Sequence, residues 1–255
     1  MKSPAESPAP AVVRNNEYDP FAGIYNRHWG RDYRAEALPV IERLLLARLK
    51  TGAAVLDVCC GTGQFTEMVR GLGFETAGLD ASGQMINFAR QNAPEIRFTV
   101  ADARDFQLDR KFHAAYSVFE SLNHIRDTEA LLTVFKCVRK HLKPRAPFLF
   151  DLNREAAFRL YWNTVDALVT EEDVCILRMD YDDETRLGNC AMTTFRKDRV
   201  WKRDDFTIQQ VCHEETAVQA ALGKAGFKDV TLYDARDAGM RGDAGYARTF
   251  FLAIA

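Results

Sequence analysis

Between Ala53 and Leu152, short continuous apolar runs alternate with stretches whose apolar residues recur at helical spacing. The runs Ala53–Val58, Glu75–Leu79, Ile96–Ala101, Phe112–Phe119 and Pro147–Leu152 predict buried strands. The stretches Gln64–Gly71, Ser82–Asn92 and Thr128–Leu142 predict helices, with Ser82 as an N-cap and Pro94 as a breaker. Strand followed by helix, repeated in this way, implies a parallel sheet with helices on both faces. The rhythm then changes. Val165–Thr170, Val174–Tyr181, Asn189–Arg196 and Phe206–His213 read as strands, with polar turns at Asp182–Glu184 and Arg199–Asp205. Too little chain separates them for crossover helices, so an inserted antiparallel sheet is expected. A helix over Thr216–Ala225, a turn at Gly226-Phe227 and strands Asp229–Tyr233 and Arg248–Ile254 resume the first pattern.

Upstream, Leu38–Leu49 is helical in pattern and stops at Thr51-Gly52. Before it, helical spacing sets Tyr18, Phe21 and Tyr25 on one face, and Trp29 with Tyr33 likewise. Such a stripe either packs on the core or forms a lid over a ligand. Residues 1–14 are Pro/Ala/Ser-rich without periodicity and read as a disordered tail. The expected division is a main domain of 15–164 and 214–255, whose lid is 15–50, interrupted by an insert of 165–213.

Composition narrows the partners. With 34 basic and 36 acidic residues the net charge is −2, which offers no basic face for nucleic acid or an anionic membrane. No apolar run approaches the about 20 residues that span a bilayer, and no secretory signal is apparent. The six cysteines form neither a C-x-x-C pair nor a zinc spacing, so reduced thiols in a cytoplasmic protein and no metal are expected.

The chemistry concentrates at Val55–Phe65, where an apolar run turns through Gly61 and Gly63 into a helix. Small residues let a ligand approach the backbone, and the helix start offers free N–H groups. A dinucleotide fingerprint would need a third glycine where Thr66 stands. Asp57, Asp80 and Asp102 close three successive strands instead. A carboxylate suits an ammonium, a second accepts from ribose hydroxyls, and a third accepts from an exocyclic adenine amine. Together these groups describe S-adenosylmethionine.

The stretches V-L-D-V-C-C-G-T-G, G-L-D-A-S and V-A-D-A resemble motif I and its successors in the class I S-adenosylmethionine-dependent methyltransferases. The resemblance implies a Rossmann-like α/β fold, a doubly wound seven-stranded sheet of order 3-2-1-4-5-7-6 with strand 7 antiparallel. It implies Asp57 near the methionine amino group, with Cys59, Gly61 and Gly63 allowing close backbone approach. Asp80 would hold the ribose, Met85 would lie against the adenine, and Asp102 would take the adenine amine, with Ala81, Ala103 and Phe119 completing the cofactor site. Cys59 departs from the glycine or alanine common at that position. Tyr25–Tyr33 resembles the lid of small-molecule methyltransferases, including sugar N-methyltransferases with an inserted antiparallel sheet. That likeness makes Tyr33 a candidate for the cofactor carboxylate and Tyr25 for the active-site wall.

Phe119–Ile125 follows the fourth strand, where ligands sit in such sheets, and His124 there is the candidate general base, against a bland reading as a loop hydrogen bond. Asn153, Arg154, Trp162 and His213 are read as structural. The expected activity is methyl transfer to a nitrogen or oxygen of a small molecule, releasing S-adenosylhomocysteine, with a possible homodimer through the insert. The alternatives are an RNA or protein methyltransferase and a non-catalytic protein that binds the same cofactor.

Overall fold

The computed structural model describes residues 16–30 and 34–255, so the expected tail and Tyr33 lie outside the described residues. Two helices, α1 (Ala22–His28) and α2 (Arg34–Leu44), precede the first strand. The alternating part runs β1 (Ala54–Val58), α3 (Gln64–Gly71), β2 (Glu75–Asp80), α4 (Gly83–Asn92), β3 (Arg97–Val100), β4 (Ala114–Ser117), α5 (Thr128–His141) and β5 (Pro147–Asn153). After a short helix α6 (Glu155–Tyr161) come β6 (Thr164–Val169), β7 (Asp173–Asp182), β8 (Leu187–Asp198) and β9 (Val200–Val211). The chain closes with α7 (Glu215–Lys224), β10 (Lys228–Asp234) and β11 (Arg248–Ile254).

The main sheet has seven strands in the order β3-β2-β1-β4-β5-β11-β10. The first five are parallel, and β11 runs antiparallel to both β5 and β10. This is the expected order, with β10 and β11 as the sixth and seventh strands. The order reverses between β1 and β4, and a crevice at the carboxyl ends of strands flanking such a reversal is where α/β sheets bind ligands.

Alternation in the buried strands explains why both faces are covered. Phe148, Phe150 and Phe251 turn to one face and pack against Leu131, Phe135 and Val138 of α5 and Leu222 of α7. Leu149 and Phe250 turn to the other, against Val40 and Ile41 of α2 and Phe65 and Val69 of α3. The rings of Phe150 and Phe251 stack at 5.0 Å. The N-caps are as the residue types demand: Ser82 accepts from Met85 N–H, and Asp127 accepts from Ala130 N–H.

Strands β6–β9 form a separate four-stranded antiparallel sheet in sequence order. Its third core joins Cys175, Cys190, Met192 and Ile208 to Phe21 and Ile24 of the lid segment and to Phe158 and Trp162 around α6. The aromatic stripe is therefore packed in a core, and that core belongs to the insert. Arg27 and His28 of α1 both donate to the buried carboxylate of Asp173 at the start of β7, at 2.6–2.8 Å.

Three expectations are corrected. Arg199–Asp205 is no turn: β9 begins at Val200, and the reversal is confined to Asp198 and Arg199, whose φ is +50°. The outer half of β9 is mostly exposed, so no buried face imposed the alternation that marks a strand. The fourth strand stops at Ser117 because Phe119 and Glu120 adopt left-handed φ values of +62° and +46°. The expected helix Leu38–Leu49 runs Arg34–Leu44 and then tightens into a 3-10 turn at Leu46–Arg48. No helix among the described residues is long and apolar enough to cross a membrane.

Candidate functional site

The turn after β1 is built by three left-handed residues, Cys59 (φ +63°), Gly61 (φ +53°) and Gly63 (φ +72°). Cys59 occupies a conformation that costs an L-residue roughly 1–2 kcal/mol, a physical reason for glycine at this point of the motif. Gly63 is required for packing as well: a Cβ there would lie 2.7 Å from the Phe98 ring and 2.8 Å from Ala89 Cβ. At Gly61 a Cβ would meet only the Tyr25 ring, at 3.7 Å, so the bare backbone of the turn faces the lid.

Asp80 organises this turn. One carboxylate oxygen accepts from Gly61 N–H and the other from Ser82 N–H, both at 2.9 Å. Burial raises the Asp80 carboxyl above the usual carboxylate range, opposed by these two hydrogen bonds. Ser82 donates to Asp19 of the lid segment at 2.6 Å. Asn26 of α1 accepts from Gln64 at the start of α3 (3.0 Å) and from Asn92 at the end of α4 (2.7 Å), pinning the lid over the turn. The sequence reading missed Asn26, Gln64 and Asn92; the clue was a polar residue between the aromatic positions of the lid helix.

Asp57 lies inside the sheet. Its Oδ2 accepts from Thr66 Oγ1 at 2.7 Å and from Tyr116 OH at 2.9 Å, and burial pushes its pKa up to about 7. Thr66, noticed only as the absent glycine, thus has a positive task. Asp102 is half-exposed, and both its oxygens accept from the Arg104 guanidinium. Met85 and Ala103 are buried between these strand ends and Ala81 is exposed. The Phe119 ring meets Phe65 edge-on at 5.7 Å.

Across from the turn, His124 Nδ1 lies 2.8 Å from Gln209 O of β9. A carbonyl only accepts, so Nδ1 carries the proton and Nε2 accepts, taking the Tyr18 hydroxyl at 2.7 Å. Gln210 Nε2 stands 3.1 Å from the same nitrogen. Burial lowers the His124 pKa to about 4. The Tyr18 phenol is pushed up, by burial first and then by the neighbouring charges of Tyr25, Glu120 and Asp80. The lid segment is thus bonded both to the fourth-strand loop, through Tyr18 and His124, and to the neighbourhood of the turn, through Asn26 and Asp19.

Behind this loop sits a charge cluster that the sequence reading missed. The Arg248 guanidinium, 4% exposed, donates to Asp151 of β5, to Glu120 and, through Nε, to Ala244 O at 2.7 Å. Asp151 Oδ2 also accepts from Glu120 N–H at 3.0 Å. Asn123 ties the insert to the sheet, donating to Val211 O and accepting from Asn153 N–H. Trp162 packs over Gly188, Arg154 pairs with Asp234 and His213 donates to Ile125 O. No group of His, Cys, Asp and Glu among the described residues is arranged to hold a metal ion.

Residues 55–145 match a family model described as a methyltransferase domain. A dTDP-3-amino-3,4,6-trideoxy-α-D-glucopyranose N,N-dimethyltransferase of Streptomyces venezuelae is 37% identical over 115 residues, 45% of this chain and 48% of that protein. A ubiquinone biosynthesis O-methyltransferase of Xanthomonas oryzae is 32% identical over 165 residues, 60% of this chain and 68% of that protein. In several of the curated relatives it matches, the chain spans about half the length. The fold is shared with a sugar N-methyltransferase from Streptoalloteichus, at a TM-score of 0.76, 20% identity and coverage of 100% and 98% of the two chains.

Proposed function

This chain belongs to the class I S-adenosylmethionine-dependent methyltransferases, and from that premise we propose that it methylates a nitrogen or oxygen of a small molecule, an amine on a deoxysugar being the favoured acceptor. The observation that carries the reading is Asp80, fixed at both oxygens beside the bare Gly61 backbone that faces Tyr25. The favoured acceptor class comes from the amino-sugar dimethyltransferases among the relatives.

The residues fit the cofactor. Each Asp80 oxygen has a lone pair beyond its backbone bond, enough for two ribose hydroxyls. Gly61 leaves the turn bare on the side that faces Tyr25, so nothing but the lid ring crowds a ligand lying on the backbone. Met85 and Ala103 offer an apolar floor for adenine, flanked by Ala81 and Phe119. Asp102, both of whose oxygens accept from Arg104, would exchange part of that pairing for the adenine amine. Asp57, through Thr66 and Tyr116, holds the end of β1 in shape, and Tyr33 remains the candidate for the cofactor carboxylate.

When bound, S-adenosylmethionine supplies a methyl group already activated by its sulfonium. The chain's own work is alignment and exclusion of water. Tyr25, on a lid fastened at Asn26, covers the turn. The Tyr18 hydroxyl donates its hydrogen bond to His124 Nε2, which leaves its oxygen lone pairs to accept an N–H or O–H of the acceptor and aim the nucleophile. His124 acts here by orienting Tyr18. Because its pKa is lowered to about 4, it stays neutral through the neutral range. The kcat profile is expected to show no His124 inflection near the ordinary histidine value, the His124 limb lying toward pH 4, where protonation removes the acceptor of the Tyr18 bond, and any limb at higher pH belonging to the acceptor amine. A profile with a histidine inflection near 6.5 that vanishes in His124→Asn would refute this assignment.

The edge strand β6 exposes Val165 and Val169 on one face, which supports a homodimer through the insert. The six free thiols suit the cytoplasm. The decisive experiment is a panel of small amines, phenols, carboxylates and amino sugars, read by formation of S-adenosylhomocysteine. Product with an amino sugar is the expected result. Failure to bind S-adenosylhomocysteine in calorimetry would end the reading.

A further inference from the structure

We propose that Glu120 is the residue that selects a positively charged acceptor, its free carboxylate oxygen Oε1 holding the ammonium of an amine substrate. The inference rests on the methyl-transfer reading above and deepens it to one acceptor class.

Glu120 is held with unusual firmness for a loop residue. It follows Phe119, and both have left-handed backbones, φ +62° and +46°, without being glycine. Two consecutive residues of this kind store strain, which surrounding bonds must hold in place. Those bonds are present: the Glu120 N–H goes to Asp151, and its Oε2 pairs with the buried Arg248. Arg248 is itself fixed by Asp151 and Ala244 O. All this constraint acts on one half of the carboxylate. Oε1 has no hydrogen-bond partner among the described residues, and it is not among their buried unsatisfied atoms. The side chain is 23% exposed, whereas Arg248 and Asp151 are at 4% and 1%.

The charge count gives the sign. One guanidinium stands between two carboxylates, so the cluster carries a net single negative charge, and its exposed part is Glu120. Glu120 opens the 3-10 turn Ser121–His124, whose last residue bonds Tyr18 of the lid segment, and its charge is among those that push up the Tyr18 phenol. An amine enters from neutral water as an ammonium with several N–H donors, and one proton leaves to solvent before its lone pair attacks the methyl group. Glu120 Oε1 accepts one of them and attracts the charge, whereas a neutral hydroxyl gains only an ordinary hydrogen bond. Arg248 is the ion-pair partner of Glu120.

The test uses the full chain saturated with S-adenosylhomocysteine, and two probes: dTDP-3-amino-3,6-dideoxyglucose and dTDP-6-deoxyglucose, which carries a hydroxyl in place of the amine. Glu120→Gln keeps an oxygen for Arg248 and removes the charge. The expected result is a roughly tenfold to hundredfold loss of affinity for the amine, in the range of a charge-assisted bond. Affinity for the hydroxyl sugar and for S-adenosylhomocysteine should stay within about threefold, and the melting temperature should hold. A merely structural clasp would weaken both sugars alike or lower the melting temperature, and either outcome overturns the proposal. Wild-type protein that binds the two sugars equally, or neither, overturns it as well. Loss of S-adenosylhomocysteine binding in the wild type would instead remove the methyl-transfer reading beneath it.

Discussion

Asp80→Ala is expected to lower the affinity for S-adenosylhomocysteine by a factor of roughly a hundred to ten thousand. Two charge-assisted hydrogen bonds to ribose hydroxyls, at roughly 1.5–3 kcal/mol each, set that range. Water can replace the carboxylate at the partly exposed Gly61 N–H, whereas the buried Ser82 N–H loses its acceptor, so the melting temperature of the variant is read beside its affinity. Asp80→Asn retains one oxygen and should fall between the wild type and the alanine variant. Titration calorimetry measures all three, and an alanine variant within about threefold of wild type would remove Asp80 from the cofactor site.

The largest effect on stability is expected from Arg248→Met. The substitution keeps much of the volume and strips the counter-charge from two carboxylates, one of them 1% exposed. Breaking one side of a buried ion pair costs about 3–5 kcal/mol, because the remaining charge has neither water nor partner. At this chain length each kcal/mol lowers the melting temperature by about 2–4 °C. Adding Asp151→Asn to Arg248→Met should return more than half of the loss, since it removes the stranded charge. Urea unfolding of the single and double variants decides the point: a loss under about 1 kcal/mol in Arg248→Met, or no recovery in the double, would mean that the cluster is not a stabilising ion triad.

The fold was legible because a doubly wound sheet writes itself locally. Its strands are buried on both faces and appear as unbroken apolar runs, so Arg248–Ile254 was found to the residue, as was helix Gln64–Gly71 from its helical spacing. Two elements escaped. Helix α6 has only seven residues and one buried turn around Ala157 and Phe158, and the outer half of β9 faces water too widely to alternate. The site was legible where chemistry lies within one motif: Asp80 reaches the Gly61 turn, as its place at the end of β2 implied. It was illegible where partners meet across the chain. Tyr18 and His124 are 106 residues apart, Arg248 and Asp151 are 97 apart, and Asp57 and Tyr116 are 59 apart. Only the strand order brings these pairs together, and nothing in the neighbourhood of either residue announces the other.

The lid helix is bound on two sides at once. Asn26 grips the glycine turn, while the next two residues, Arg27 and His28, grip Asp173 of the insert, whose core also takes Phe21 and Ile24. The glycine turn and the inserted sheet thus share one short segment of chain. A graft that exchanges residues 164–211 for the sheet of a related enzyme would orphan Asp173's partners and tear the lid's apolar face from its seat. The transplantable unit is the pair 16–30 and 164–211 moved together. Inheritance faces the same rule, so substitutions in these two segments should arise as matched sets.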